Sequence, residues 1–237
     1  MHATATIEDY LGGIYDLAGS GKPVTGARLA KHMGVSAPTV TETLQRIVRG
    51  GYVRIGPHKE VRLTKKGLAL ANTIARRHRL LERWITDVLG LDWATAHDEA
   101  HRLEHALSPK VEERLAKLLG MPSTCPHGNP IPGMPEPPPH ERVPLADASV
   151  NEEVIVDRIS EEAEADRELL HHLWQNGIRP GARLRVVELA PYVGTISAKL
   201  DDDRTVTLGL QAATKIWVHQ VSKPQTKKKA ATRSASN

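Results

Sequence analysis

The chain has 237 residues, 40% of them hydrophobic and 25% charged, the balance of a folded domain protein and long enough for two cores. Aromatic residues make up 3% with no Phe, so the interior must be built from Leu, Ile, Val and Ala, and the single cysteine, Cys125, excludes an internal disulfide and any thiolate-rich zinc module. The formal charge is only +4, yet residues 20–66 hold ten Lys and Arg against two acids, and the segment from Ser222 onward holds five against none. The remainder is net acidic, which suits a nucleic-acid reader with a confined basic patch.

The first periodic stretch, TIEDYLGGIYDLA, spaces Ile7, Tyr10, Leu11, Ile14 and Leu17 as one helical stripe, with Thr6 as its N-cap and Asp9 off the stripe. TGARLAKHMG predicts a short helix stopped at Gly34, and SAPTVTETLQRIVRGG a third, capped by Ser36, buried through Val40, Leu44, Ile47 and Val48, and stopped by Gly50-Gly51. YVRIG and EVRLT alternate around Pro57-His58-Lys59, a hairpin pattern. Helix, helix-turn-helix, hairpin is the winged-helix order, expected over residues 1–65. The exposed face of its third helix offers Ser36, Pro38, Thr39, Thr41 and Glu42 to base edges, while Arg28, Arg46 and Arg49 suit phosphates.

Residues 66–122 predict a helical unit: a long helix from Lys65 to about Leu89, then Trp93–Leu107 and Pro109–Leu119. The density of Pro and Gly in 123–145 predicts a linker without regular structure, in which Cys125 is expected to be inert, as a lone thiol without a nearby His or basic helix end to activate it. Short β runs from 146 to 221, interrupted by one helical insert, predict a small β barrel. His171 and His172 in the insert are expected at the surface, and the four Trp in core or dimer contacts. The basic, apolar-poor tail 222–237 is expected to be disordered, serving solubility or unspecific DNA affinity. The fold class expected for the whole is therefore mainly α, with a small SH3-like barrel at the C-terminus. No apolar run approaches the roughly 18 residues of a membrane span, and the N-terminus lacks a signal-peptide pattern, so a cytoplasmic protein without a membrane partner is expected.

The segment HDEAHRLEHAL sets His97, His101, Glu104 and His105 on one helical ridge, and His78 and Glu82 stand i,i+4 on the preceding helix. Either pair alone reads as a wet helix face. Together they put several imidazoles and carboxylates within reach of one another, where an exposed face would alternate Lys with Glu. Nitrogen and oxygen donors without sulfur suit Mn(II) or Fe(II).

These residues resemble a known group. IEDYLGGIYDL, SAPTVTETLQRI, ARRHRLLERWITDVLGL, HDEAHRLEHALSPKVEERL and HGNPIPG are similar to the diphtheria toxin repressor and manganese transport regulator family of metal-dependent transcription regulators, over about residues 5–135. The β region resembles the SH3-like domain of the family's longer members. The resemblance implies a primary, activating site from Asp9, His101, Glu104 and His105, and an ancillary site from His78, Glu82 and His97. In long members the C-terminal domain completes the ancillary site: Asp166 aligns with one such ligand, while Leu169 stands where a glutamine is expected, with Glu168 beside it as the substitute. Iron-sensing members are expected to carry Met at the position of Asp9 and Cys at that of His101, manganese-sensing members Asp and Glu. Asp9 is the manganese-like choice and His101 fits neither. The expectation is thus a homodimeric, Mn(II)-activated repressor of metal-uptake genes on a palindromic double-stranded operator, with Fe(II) as the alternative ion. Two rivals remain open at this point: a metallohydrolase, for which no HExxH, nucleophile elbow or phosphate loop is found, and a winged-helix regulator of an organic ligand.

Overall fold

The computed structural model describes residues 4–19, 21–136, 139 and 141–221, so the expectation for the basic tail falls outside the described residues. Helix α1 (Ala5–Gly19) buries Tyr10, Leu11, Ile14 and Leu17. Its first amides bond to the carbonyl of Thr4, which puts the expected cap, Thr6, inside the helix. Helix α2 (Gly26–Met33) runs from the Thr25 cap to Gly34, whose φ of 64° is the left-handed stop that the sequence predicts. Helix α3 (Ala37–Arg49) is capped by Ser36, which accepts from the Thr39 amide, and buries Val40, Thr43, Leu44 and Ile47. Val48, expected in that stripe, is exposed. Strands β1 (Val53–Ile55) and β2 (Val61–Leu63) close the antiparallel wing. One hydrophobic cluster joins α1, α2, α3 and the wing, so α1 belongs to the core of the reading head.

Three helices follow: α4 (Lys65–Asp87), α5 (Trp93–Leu103) and α6 (Pro109–Leu118). Leu80, Leu81, Ile85, Ala96, Ala100, Leu115 and Ala116 form their shared core, which also takes in Ile131 and Met134 from the segment expected to be a loose linker. Residues 123–136 hold no helix or strand, as the sequence predicts, yet Cys125, His127, Asn129, Ile131 and Met134 are all buried. Proline and glycine here fix turns instead of loosening the chain. Gly128 has φ 89°, and a Cβ on it would sit 2.4 Å from the Asp157 carbonyl oxygen, so only glycine lets this loop lie against the C-terminal unit.

The C-terminal part contains β3 (Val143–Pro144), a short 3-10 turn, β4 (Glu153–Ile159), α7 (Glu161–Glu164), α8 (Arg167–Gln175), β5 (Arg183–Ala190), β6 (Thr195–Leu200), β7 (Thr205–Gly209), α9 (Leu210–Ala213) and β8 (Ile216–Gln220). The strands make one antiparallel sheet in the order β3-β8-β4-β5-β6-β7. Its two end strands, β3 and β7, show no pairing with each other among the described residues, and the registers of β4 and β5 are irregular. Mainly α describes the first half of the chain only. Trp93, the first residue of α5, is 2% exposed and lies in the hydrophobic core of this C-terminal unit with Leu170 and Leu173, packed against Trp174 and His127. His171 and His172 are exposed, as the sequence implies. No helix among the described residues is long and apolar enough to cross a membrane.

Candidate metal centre and nucleic-acid interface

The polar ridge read from the sequence is split by the end of its helix. His97 and His101 lie within α5, Glu104 is its C-cap, and His105 falls in the turn beyond, before Ser108 and Pro109 start α6. The break turns His105 toward α1 while His97 faces α4.

On the α1 side, Asp9 Oδ1 lies 2.8 Å and Glu104 Oε1 3.4 Å from His105 Nε2. Asp9 Oδ1 is buried yet lacks the alignment of a hydrogen bond, an unsatisfied carboxylate oxygen converging with an imidazole nitrogen and a second carboxylate. Those three donors fit a divalent cation. His101 Nδ1 is 3.2 Å from Glu104 Oε1, with more than half its side chain in solvent. Glu8, absent from the expected ligands, meets the other ring nitrogen of His105 at 2.7 Å.

His78 connects this region to the next. Its Nδ1 lies 2.7 Å from Glu104 Oε2, and its Nε2 lies 3.0 Å from Glu82 Oε1 and 3.1 Å from His97 Nδ1. His78, Glu82 and His97 form one donor group, and His78, His101 and Glu104 another, so the residue assigned by resemblance to the ancillary set also touches the primary one. Burial favours neutral His78, but Glu82 and Glu104 outweigh it and raise its pKa well above the usual histidine value. Burial pushes Glu104 upward, and hydrogen bonds with His101 and His78 reverse this and hold it at about 2. His101 is raised by its hydrogen bond to Glu104.

Deeper still is a group the sequence reading missed. Glu82, Cys125, His127 and Glu164 are all buried and present four ligand atoms to one another. His127 Nδ1 is 3.1 Å from Glu164 Oε1, 3.5 Å from Glu82 Oε2 and 3.8 Å from Cys125 Sγ. Glu82 Oε2 and His127 Nε2 have no hydrogen-bond partner, so this set too fits a cation. Burial drags Glu82 upward, but His127 and His78 hold it well below the carboxylate range. His127 is raised well above its usual value by Glu82 and Glu164 against the pull of burial, and burial followed by Glu82 raises the Cys125 thiol. The signal for it is present in Cys125-Pro126-His127, two potential ligands separated by a single proline, and in the acidic run before Asp166. What sequence spacing does not reveal is that Gly128 lets this loop reach the C-terminal unit, where Asn129 also bonds Glu164 at 2.7 Å.

Asp166, aligned with an ancillary ligand, is not brought to these donors. Its side chain caps α8 by accepting from the Leu169 amide and lies 3.8 Å from Lys215 Nζ. Glu168 is likewise exposed on α8, and Glu164 is the C-terminal carboxylate that reaches the cluster.

On the reading head, Ser36, Pro38, Thr39, Thr41, Glu42, Arg46 and Arg49 are all exposed along α3. Ser36 and Thr39 share a side-chain bond at 2.8 Å, and Thr41 bonds the Ala37 carbonyl. Arg28 differs: half-buried, it donates to the carbonyls of Lys22 and Pro23 and pairs with Glu162 of the C-terminal unit at 2.9 Å.

Comparison with known proteins agrees with this architecture along the chain. The model for the iron dependent repressor N-terminal DNA binding domain matches residues 2–61, that for the iron dependent repressor metal binding and dimerisation domain 64–133, and that for the FeoA domain 143–220. The iron-dependent repressor IdeR of Mycobacterium tuberculosis (strain ATCC 25618 / H37Rv) is 38% identical over 226 residues, covering 91% of this chain and 97% of that protein. The diphtheria toxin repressor of Corynebacterium diphtheriae is 37% identical over 191 residues, covering 77% and 84%. Among solved structures, a manganese-dependent transcriptional repressor in complex with manganese superposes with a TM-score of 0.80 at 37% identity, over 91% of this chain and all of that one. The manganese regulator SloR superposes at 0.74 and 28% identity, over 93% and 100%. With the order of its parts, its donor clusters and these likenesses in agreement, the chain belongs to the diphtheria toxin repressor and manganese transport regulator family of metal-dependent transcriptional repressors.

Proposed function

We propose that this regulator is activated by Mn(II), with Asp9, Glu104, His105 and His101 as the primary donors, and that the loaded protein represses metal-uptake genes as a homodimer on a palindromic operator. The observation that carries it is the convergence of the buried, unbonded Asp9 Oδ1 of α1 with His105 Nε2 and Glu104 Oε1 beyond α5. A bound divalent cation supplies the positive charge that draws these groups together. Asp9 fixes the end of α1, and α1 shares its core with α3, so closing the gap between α1 and α5 sets the posture of the reading head. Within this set the donors are hard oxygen and imidazole, which favours Mn(II) over softer ions and leaves Fe(II) as the alternative.

His78, Glu82 and His97 act as the ancillary donors, and the second oxygen of Glu82 serves the deeper set with Cys125, His127 and Glu164. Because one His78 nitrogen faces Glu82 and His97 and the other bonds Glu104, ancillary occupancy would leave the His78 Nδ1–H donating to Glu104 Oε2 and orient the other Glu104 oxygen toward His105. Asp166 serves as a helix cap in this reading.

Exposed Val88, Leu89, Leu91, Leu103, Val111 and Leu118, all within the segment matched by the metal binding and dimerisation model, supply the apolar surface for a second copy. Twofold pairing would present two α3 helices to successive major grooves, with Ser36, Pro38, Thr39, Thr41 and Glu42 toward bases and Arg46 and Arg49 on phosphates. Arg28 joins them only once released from Glu162. The relatives are repressors by name, which supports a regulator and not a hydrolase.

The test is operator binding in chelated buffer with Mn(II) or Fe(II) restored at matched free concentrations. Mn(II) is expected to tighten binding at the lower free concentration. Operator affinity indifferent to both ions would overturn the proposal.

A further inference from the structure

We infer that Glu8 is the positioning residue of the primary site: it selects the tautomer and orientation in which His105 offers Nε2 to an ion. The inference rests on the reading of Asp9, Glu104 and His105 as donors. Consecutive carboxylates of α1 clasp one imidazole, Glu8 Oε2 at 2.7 Å from Nδ1 and Asp9 Oδ1 at 2.8 Å from Nε2. The ring nitrogens point in diverging directions, so Glu8 does not share an ion held at Nε2.

Its effect is on the proton. A neutral imidazole carries one N–H, and with that hydrogen on Nδ1, donating to Glu8, the Nε2 lone pair faces Asp9 and Glu104. The opposite tautomer would set a lone pair against the Glu8 carboxylate and a hydrogen where the ion belongs. His105 needs such an outside hold more than its neighbours do. His78 and His97 are seated within α4 and α5, whereas His105 lies in the turn after α5 ends, with the His101 ring edge-on at 6.1 Å and Glu8 bonded to its Nδ1. The hold also comes from α1, the element that carries Asp9, so it sets the ring relative to its partner donor. The Glu8 and His105 side chains are only 17% and 21% exposed, which limits competition from water.

The experiment uses the full chain and Mn(II) alone. Free Mn(II) is followed by electron paramagnetic resonance during titration, and the His105 tautomer by nitrogen-15 NMR of metal-free protein in mildly alkaline buffer. Glu8→Ala is expected to weaken Mn(II) binding by about 10- to 100-fold, as loss of an outer-shell partner typically does, and to remove the Nδ1–H signature. Glu8→Gln, whose amide oxygen accepts the same N–H, is expected to restore most of both. Unchanged affinity and tautomer in Glu8→Ala, or equal impairment in the two variants, would overturn the inference. Asp9→Ala separates the two levels: if it binds Mn(II) normally, the primary-site reading falls and the role of Glu8 with it, whereas its failure beside an intact Glu8→Ala overturns the role of Glu8 alone.

Discussion

The Asp9 and Cys125 clusters of this chain differ in depth and in what they join. Asp9, Glu104 and His105 meet between α1 and the end of α5, and Asp9 and Glu104 border a cleft of about 350 Å³ that Glu164 also lines. Glu82, Cys125, His127 and Glu164 are buried, and they join α4, the proline-fixed loop and α7. On the proposed reading, an ion at the first position would bear on the relation of reading head to helical body, and one at the second would join the helical body to the C-terminal unit. Position in the fold, more than donor chemistry, would then separate a sensor from a staple.

The comparison is most severely tested by His127→Ala. Removing this imidazole leaves Glu82 and Glu164 facing each other in the interior, and breaking a buried charged pair typically costs about 3–5 kcal/mol. Urea denaturation of chelated protein should register that loss, while a fall within the range of surface substitutions would show that the deep set does not hold the domains.

Next in size, Asp9→Ala should abolish the metal-dependent gain in operator affinity, a coupling typically worth ~1–3 kcal/mol, with the fold intact by circular dichroism. His78→Ala, which touches both groups, should lose an intermediate share, and His97→Ala the least. Equal loss from all three, measured by fluorescence anisotropy on a labelled operator, would erase the distinction between sensor and support.

The smallest effect is a slope. Imidazole must be neutral to ligate, and His78 and His101 are raised above the ordinary histidine value by their carboxylate partners. Protons therefore compete with the ion over a higher range than free histidine would give, and Mn(II) affinity should still be climbing from about pH 7 to 8, by up to about tenfold per unit for each proton released. A plateau already reached at about pH 6.5 would count against these ligands.

Much of this was legible before any coordinates. The stripe in α1, the Gly34 stop, the Ser36 cap and the hairpin around Lys59 follow from local rules, and each is found where the sequence puts it. The i,i+4 pairs point to His78, Glu82, His97, His101 and His105, which the fold gathers into clusters, because helical spacing is a local property. The deep cluster was hidden for the opposite reason. It depends on Gly128 meeting the Asp157 carbonyl and on Glu164 arriving from a separate unit, contacts between residues far apart in sequence that no periodicity encodes. Asp166 stands apart from the clusters, and at the start of a helix one of its carboxylate oxygens accepts from a backbone amide, a local role that alignment does not show.

Trp93 gives the helix bearing the histidine ridge an unusual seat. Its opening residue is sunk in the interior of the neighbouring unit, so α5 is laid out like a lever, its heel socketed in one body and its toe beside the Asp9, Glu104 and His105 group of another. A shortened chain ending before the FeoA-like part would strip that indole bare and leave the lever without a fulcrum. Its consequence for inheritance is that the C-terminal extension cannot be shed freely, because the helical half has given up part of its own interior to it.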